Sequence, residues 1–227
     1  MKTAIVIGAT GLVGEQLVKL LLKDTRFLKV KTFVRRSMGI NDPKLEEHLI
    51  DFDNSDGWKR LVTGDVLYSA LGTTLRAAGS KDAQYRIDYT YQYKFAKVAA
   101  ANEVKEYVLI SAAGSSPESK IFYSRIKGEL ERDIKKLPFE TIHIIRPGML
   151  AGERHKVRTG EQLGVGIMNV IAVIPGLSKL KPIQGREVAQ AMVNATFRRV
   201  VGIHTYTMGE VFELARINNA KKVGAGI

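Results

Sequence analysis

Short apolar runs alternate with longer amphipathic stretches along most of this chain. Strands are expected over Lys2–Ile7, Val30–Val34, Leu49–Phe52, Val66–Ala70, Tyr107–Ser111 and Thr141–Ile145. Helices are expected over Leu12–Leu22, Ser55–Val62, Tyr89–Ala101 and Tyr123–Lys136. Such alternation predicts an α/β protein, a doubly wound parallel sheet covered by helices on both faces. The strand runs Ala4-Ile5-Val6-Ile7 and Tyr107-Val108-Leu109-Ile110 are nearly continuous in apolar residues, as strands buried on both faces must be. In the helix after Tyr123, Ile126, Leu130 and Ile134 recur at four-residue steps and mark its buried stripe.

After Pro147-Gly148 the pattern loosens into a charged stretch, Gly152 to Gly164, an apolar segment, Ile167 to Ile174, a Pro175-Gly176 turn and a helix near Arg186 to Arg198. The chain therefore reads as one domain: a nucleotide-binding core over residues 1–150, a small C-terminal substrate-side elaboration over 151–217, and a tail over 218–227 that is expected to fray.

Composition changes this picture mainly by exclusion. With no cysteine there is no disulfide, thiolate metal site or cysteine nucleophile, and the four histidines (His48, His143, His155, His204) lack metal-ligand spacing, so no metal site is expected. The N-terminal segment has no signal-peptide layout, and no apolar run approaches the roughly 18 residues of a membrane span. These features argue for a cytoplasmic protein without a membrane partner. The net charge of +12 raises the question of a polyanionic partner, but the basic residues are spread along the chain with no aromatic-interleaved stripe, which disfavours nucleic acid.

The first candidate chemistry lies between the first strand and the first helix. Gly8-Ala9-Thr10-Gly11-Leu12-Val13-Gly14 has the context of a dinucleotide-binding loop, with GxxGxxG in place of GxGxxG spacing. Gly8 permits the tight turn, Gly11 lets backbone approach a pyrophosphate, and Gly14 allows close helix packing. The free N–H groups of the helix start attract the anion. Gly8, Thr10, Gly11, Leu12, Val13 and Gly14 are thus expected cofactor contacts in a Rossmann-type fold. The second strand ends in Arg35-Arg36, with no carboxylate before Asp42, where a binder of NAD usually carries an acid. Two guanidiniums suit a 2′-phosphate, so NADP(H) is expected over NAD(H); a solvated basic turn is the plainer reading. Asp51 and Phe52 are expected to flank the adenine, although Asp51 could instead cap the helix starting near Ser55.

The second candidate is a proton-transfer unit. Tyr123 and Lys127 stand four residues apart on a predicted helix and project from one face. A phenol is a poor acid or base at neutral pH, and a nearby ammonium favours its phenolate. Taken alone the pair is common, and a lysine snorkelling past a half-buried ring explains it equally well. Ser111, twelve positions before Tyr123 at the C-terminal end of a parallel strand, sharpens the reading, because ligands of such sheets bind there and its hydroxyl could hold a substrate carbonyl.

Together, Gly8-x-x-Gly11-x-x-Gly14, Ser111-Ala112-Ala113-Gly114, Tyr123-x-x-x-Lys127 and Arg146-Pro147-Gly148 resemble the atypical short-chain dehydrogenase/reductases. Leu71-Gly72-Thr73-Thr74, Tyr123 to Glu129 and Arg146-Pro147-Gly148-Met149-Leu150 are similar more narrowly to the Tat-interacting protein (CC3-like) oxidoreductase family. The resemblance runs from residue 1 to about residue 200. It implies Tyr123 as acid/base, Lys127 as modulator of its pKa and ligand of the nicotinamide ribose, and Ser111 as the carbonyl-orienting hydroxyl. It also implies that Ala70, Leu71 and Gly72 line the cofactor, that Pro147 and Met149 meet the nicotinamide, and that Asp88 stands where extended relatives often have Asn. The Ser-to-Tyr interval is shorter than in conventional members, and the region after Gly148 is short.

The leading expectation is an NADPH-dependent oxidoreductase acting on a small carbonyl-type substrate. A non-catalytic NADPH-binding regulator or interaction protein is the alternative, because fold does not determine function. A nucleotide-sugar epimerase or dehydratase comes third and is disfavoured by the short C-terminal part. Arg154 and Arg158, with Glu153, His155 and Lys156 beside them, could bind an acidic substrate or form a solvated loop. The run Tyr85, Tyr89, Tyr91 and Tyr93 suggests a homodimer surface by aromatic enrichment.

Overall fold

The computed structural model describes residues 1–151 and 182–223, with side chains described as far as residue 217. Seven parallel strands form one sheet in the order β3-β2-β1-β4-β5-β6-β9. They are β1 (Lys2–Ile7), β2 (Phe27–Val34), β3 (Leu45–Leu49), β4 (Val66–Ser69), β5 (Glu106–Ile110), β6 (Thr141–Arg146) and β9 (Gly202–Thr207). A separate parallel pair joins β7 (Leu150–Ala151) to β8 (Ile183–Gln184). The chain starts at the middle of the sheet, runs outward through β2 and β3, then returns beside β1 to begin the second half at β4. The strand order thus reverses between β1 and β4, where a crevice opens above the strands' C-terminal ends and ligands of such sheets bind.

Because successive strand residues point to opposite faces, β1 feeds two cores. Ala4 and Val6 pack with α1 (Leu12–Lys23), α6 (Gly185–Thr196) and α7 (Gly209–Val223), through Leu17, Leu21, Val188, Met192, Val211 and Leu214. Ile5 and Ile7 pack on the other face with Trp58, with Phe95 and Ala99 of α4 (Tyr91–Ala101), and with Leu130 and Ile134 of α5 (Phe122–Ile134). The four-residue stripe of α5 is therefore a core stripe, and the sheet is covered on both sides.

Several elements depart from the sequence expectation. The third strand is Leu45–Leu49 instead of Leu49–Phe52. As an edge strand it carries charge: Glu46 pairs with Lys29 at 2.8 Å and with His48 at 3.0 Å, so it lacks the apolar run that marks central strands. The predicted helix Ser55–Val62 is two short 3₁₀ turns, Ser55–Gly57 and Lys59–Leu61, interrupted at Trp58, whose buried indole donates to the Asp51 carbonyl at 2.8 Å. The helix expected from Tyr89 begins earlier, at α3 (Lys81–Tyr85), and runs through a π-helical turn, Arg86–Thr90, into α4; a separate short helix, α2 (Leu75–Ala78), precedes it and ends at Gly79. The strand β9 and the helix α7 were not expected, and α7 continues to Val223, into the segment expected to fray. The charged stretch from Gly152 to Gly164, with Arg154 and Arg158, the apolar segment Ile167–Ile174 and the Pro175-Gly176 turn lie outside the described residues. No helix among the described residues is long and apolar enough to cross a membrane.

Candidate functional site

The loop from β1 to α1 is shaped by what its glycines lack. Gly8 has φ +77°, and a Cβ there would lie 2.3 Å from Leu71 N and 2.4 Å from the Ala70 carbonyl. A Cβ on Gly14 would lie 2.1 Å from the Gly8 carbonyl oxygen, so α1 starts directly against the turn. Gly11 donates its N–H to Gly8 O at 3.0 Å and stands at the N-cap of α1 with no side chain capping the helix. The first-turn amides are therefore open to an anion, reinforced by the helix dipole. Of the loop residues, Thr10 is exposed, Leu12 is half-buried and Val13 turns into the core.

In front of this turn lies a cleft of about 390 Å³. It is lined by Gly8, Ala9 and Thr10 of the turn, by Phe33 and Val34 of β2 with Arg35 and Arg36 directly after it, and by Phe52 and Leu71. Phe52 is buried and stacks on Tyr91, with ring centroids 5.3 Å apart and planes inclined by 24°. Asp51 is not among the lining residues: its carboxylate accepts from Asp53 N at 2.9 Å, and it caps no helix.

The second cluster forms where β5, α5 and the turn before α4 converge. Ser111, one residue past β5, is 3% exposed, and its Oγ lies 3.1 Å from Ser115 Oγ. Ser115 Oγ in turn donates to the Ala112 carbonyl at 2.7 Å. Gly128 brings α5 onto this loop, since a Cβ there would lie 2.1 Å from Ser116 C and 2.3 Å from Pro117 N. Tyr123 is 41% exposed, with the Lys127 ammonium 5.9 Å from its ring centroid. Lys127 itself is buried, and its Nζ lies 3.0 Å from Asp88 Oδ1. Pro147 is buried and accepts from Ala113 N at 3.0 Å, whereas Met149 is 60% exposed.

The structure thus brings the phosphate loop, Arg35, Arg36, Phe52 and Leu71 to one cleft and Tyr123, Lys127 and Asp88 to one corner. Leu71-Gly72 joins the two: Leu71 lines the cleft, and a Cβ on Gly72 would lie 3.7 Å from Lys127 Nζ. Sequence reasoning missed Ser115 and Gly128. A small residue directly after the predicted lysine was the available signal for Gly128. Of the tyrosines expected at a dimer surface, Tyr89 donates to Asp133 and Tyr91 to Asp53, each at 2.8 Å. Among the described residues no cluster of His, Asp or Glu is arranged to hold a metal.

Residues 8–166 match the NAD(P)H-binding family. The chain belongs to that family. Protein FMP52-1, mitochondrial, of Scheffersomyces stipitis is 39% identical over 199 residues, covering 85% of this chain and 87% of that one. Among solved structures, the oxidoreductase ylbE of Lactococcus lactis superposes with a TM-score of 0.65 at 16% identity, covering 96% of this chain and 97% of that one. The UDP-N-acetylglucosamine 4-epimerase of Methanobrevibacter ruminantium M1 superposes with a TM-score of 0.66 at 16% identity, covering 93% and 80%. These structures share this chain's Rossmann-type fold, a parallel sheet covered by helices, in agreement with the fold class expected from the sequence. The name of the FMP52 relative corrects one expectation: it is a mitochondrial protein, which conflicts with the cytoplasmic setting inferred from the lack of a signal-peptide layout. The layout of a secretory signal bears on export, and mitochondrial targeting follows different rules.

Proposed function

We propose that this protein is an NADPH-dependent oxidoreductase that reduces a small carbonyl-type substrate, with Tyr123 as the acid/base. The observation that carries this reading is the shared edge at Leu71-Gly72, which puts the end of the cofactor cleft directly beside Lys127. The residues fit the dinucleotide: Gly8 and Gly14 let the turn close backbone against backbone where no Cβ would fit, and α1 starts beside it with no side chain capping its amides. Arg35 and Arg36, on the same cleft, supply forked donors for a 2′-phosphate and support NADP(H) over NAD(H).

When bound, the nicotinamide supplies hydride, and that chemistry belongs to the cofactor. The chain's part is to bind, orient and move one proton. The Tyr123 phenol gives its proton to the substrate oxygen as the carbonyl carbon gains hydride, and the phenolate so formed is stabilised by the Lys127 ammonium on its ring side. Ser111 acts on the substrate oxygen if its hydroxyl leaves Ser115, which keeps its own bond to the Ala112 carbonyl. The mitochondrial name of the FMP52 relative supports a mitochondrial setting for this work.

A second reading, an NADPH-binding regulator without turnover, is favoured by the burial of Ser111 and its bond to Ser115. The test is NADPH oxidation against a panel of aldehydes and ketones, wild type beside Tyr123→Phe. The reductase reading expects Tyr123→Phe to lower kcat by about 10²–10⁴-fold with cofactor affinity retained. Tight NADPH binding with no oxidation across the panel selects the regulator.

A further inference from the structure

Arg35 and Arg36 are followed by a hydroxyl to which the cofactor reading gives no task. Ser37 is exposed and lies in the connection 35–44 between β2 and β3, which contains neither helix nor strand. Burial alternates along this connection: Met38 and Ile40 pack against the core on the α1 face, while Ser37, Gly39 and Asn41 are exposed. The Glu47 carboxylate accepts from Met38 N at 2.8 Å and fixes the backbone there. Ser37 Oγ accepts from Gly39 N at 3.1 Å, and Gly39 stands at φ +66° with open space within 4 Å of where its Cβ would be. The hydroxyl is therefore held at the surface, on a stretch of chain that another protein can reach.

The two guanidiniums before it are equally open. Arg35 and Arg36 are exposed, line the cleft and make no hydrogen bond or ion pair among the described residues. Arg26, Arg132 and Arg146, by contrast, each hold a carboxylate. Consecutive Cα atoms are about 3.8 Å apart, so an anion on Ser37 lies within reach of both arginine side chains. No other serine of the chain has an arginine at either of the two positions before it.

We infer that Ser37 is a phosphorylation site whose phosphate occupies the two guanidiniums and so shuts NADPH out of the cleft. The inference rests on Arg35 and Arg36 receiving the 2′-phosphate of NADPH. The modifying enzyme is a serine/threonine protein kinase that reads basic residues ahead of the hydroxyl by charge. In the transfer, Ser37 Oγ forms a bond to the γ-phosphorus of ATP, and the bond from that phosphorus to the β–γ bridging oxygen breaks. ADP leaves, and the hydroxyl proton passes to the kinase's carboxylate base.

The product carries a charge of about −1.5 to −2 at pH 7 and three strong acceptor oxygens. Its two effects have the same sign. It engages the forked donors of Arg35 and Arg36, and it repels a second phosphate brought to the same place. NADH has a hydroxyl where NADPH has that phosphate, so it loses neither interaction. Phosphorylation thus removes the preference for NADPH and leaves the glycine turn, on the other side of the cleft, unchanged.

The test uses the full chain carrying phosphoserine at position 37, introduced at an amber codon and titrated calorimetrically with NADPH and NADH beside the wild type. The phosphoprotein is expected to bind NADPH about 10–100-fold more weakly than the wild type, with NADH affinity held within about threefold. Ser37→Gln, which adds bulk without charge, is expected to keep NADPH affinity within about threefold of wild type. In the Arg35→Ala/Arg36→Ala background the loss caused by the phosphoserine should shrink to about fivefold or less, because only screened repulsion remains. The catalytic subunit of cAMP-dependent protein kinase, with ATP, is expected to phosphorylate the peptide holding Ser37 in the wild type and not in Ser37→Ala. A phosphoprotein with wild-type NADPH affinity overturns the proposal, as does an equal loss in Ser37→Gln, an undiminished loss without the two arginines, or a Ser37 that the kinase leaves unmodified. A wild type that binds NADPH no better than NADH removes the cofactor reading and the proposal with it, whereas a wild-type preference that phosphoserine leaves intact removes the proposal alone.

Discussion

The two halves of the sheet hold their functional groups by different means. On the cofactor side, around β1, β2 and β4, the geometry is steric: Gly8 and Gly14 let backbone meet backbone, and the turn is closed by a backbone bond from Gly11 N to Gly8 O. On the side of Tyr123 and Lys127, around β5, α5 and β6, the elements are fastened by buried charge. Asp88 holds Lys127, and Arg146 at the end of β6 grips Glu131 of α5 through two bonds of 2.9 and 2.5 Å. A surface that receives an anion benefits from a rigid shape with open N–H groups, whereas a site that moves a proton needs charges whose balance can be adjusted.

That contrast can be broken at each side. Arg146→Met should have the largest effect, because it leaves the Glu131 carboxylate, 2% exposed, without its main partner. A loss of about 3–5 kcal/mol in urea unfolding is expected, as for other buried pairs missing one member. A loss below about 1 kcal/mol would show that charge does not fasten this half. Gly14→Val should come next, since its Cβ would fall 2.1 Å from the Gly8 carbonyl. The expected cost is about 1–3 kcal/mol together with loss of cofactor binding, as the loop must shift to admit the side chain. Binding that survives in this variant would separate the phosphate site from the turn.

The same contrast accounts for what was legible beforehand. The glycine turn between β1 and α1 could be read because its requirements are local: a turn at φ +77° and two close approaches call for glycine at fixed spacing. Tyr123 and Lys127 could be paired because helical periodicity puts them on one face. The partnership of Lys127 with Asp88 could not be read, because it depends on how a π-helical turn docks against α5, and no local pattern encodes that. β3 escapes the apolar pattern because its edge is charged, and β9, the opposite edge, because Gly202 to Thr207 alternates in burial only weakly. In α7, Val211, Leu214 and Ala215 carried a helical signal at three- and four-residue steps that went unused.

The smallest expected effect bears on the most central claim, that the cleft beside Arg35 and Arg36 takes NADP(H). Calorimetric titration of the wild type and of Arg35→Ala/Arg36→Ala with NADPH and NADH tests it directly. The wild type should bind NADPH about 10–100-fold more tightly than NADH, and the double variant should lose that preference while keeping its NADH affinity, since each charge-assisted bond to phosphate contributes about 1.5–3 kcal/mol at most. Equal affinities in the wild type would contradict the assignment of the two arginines, and binding of neither cofactor would contradict the account as a whole.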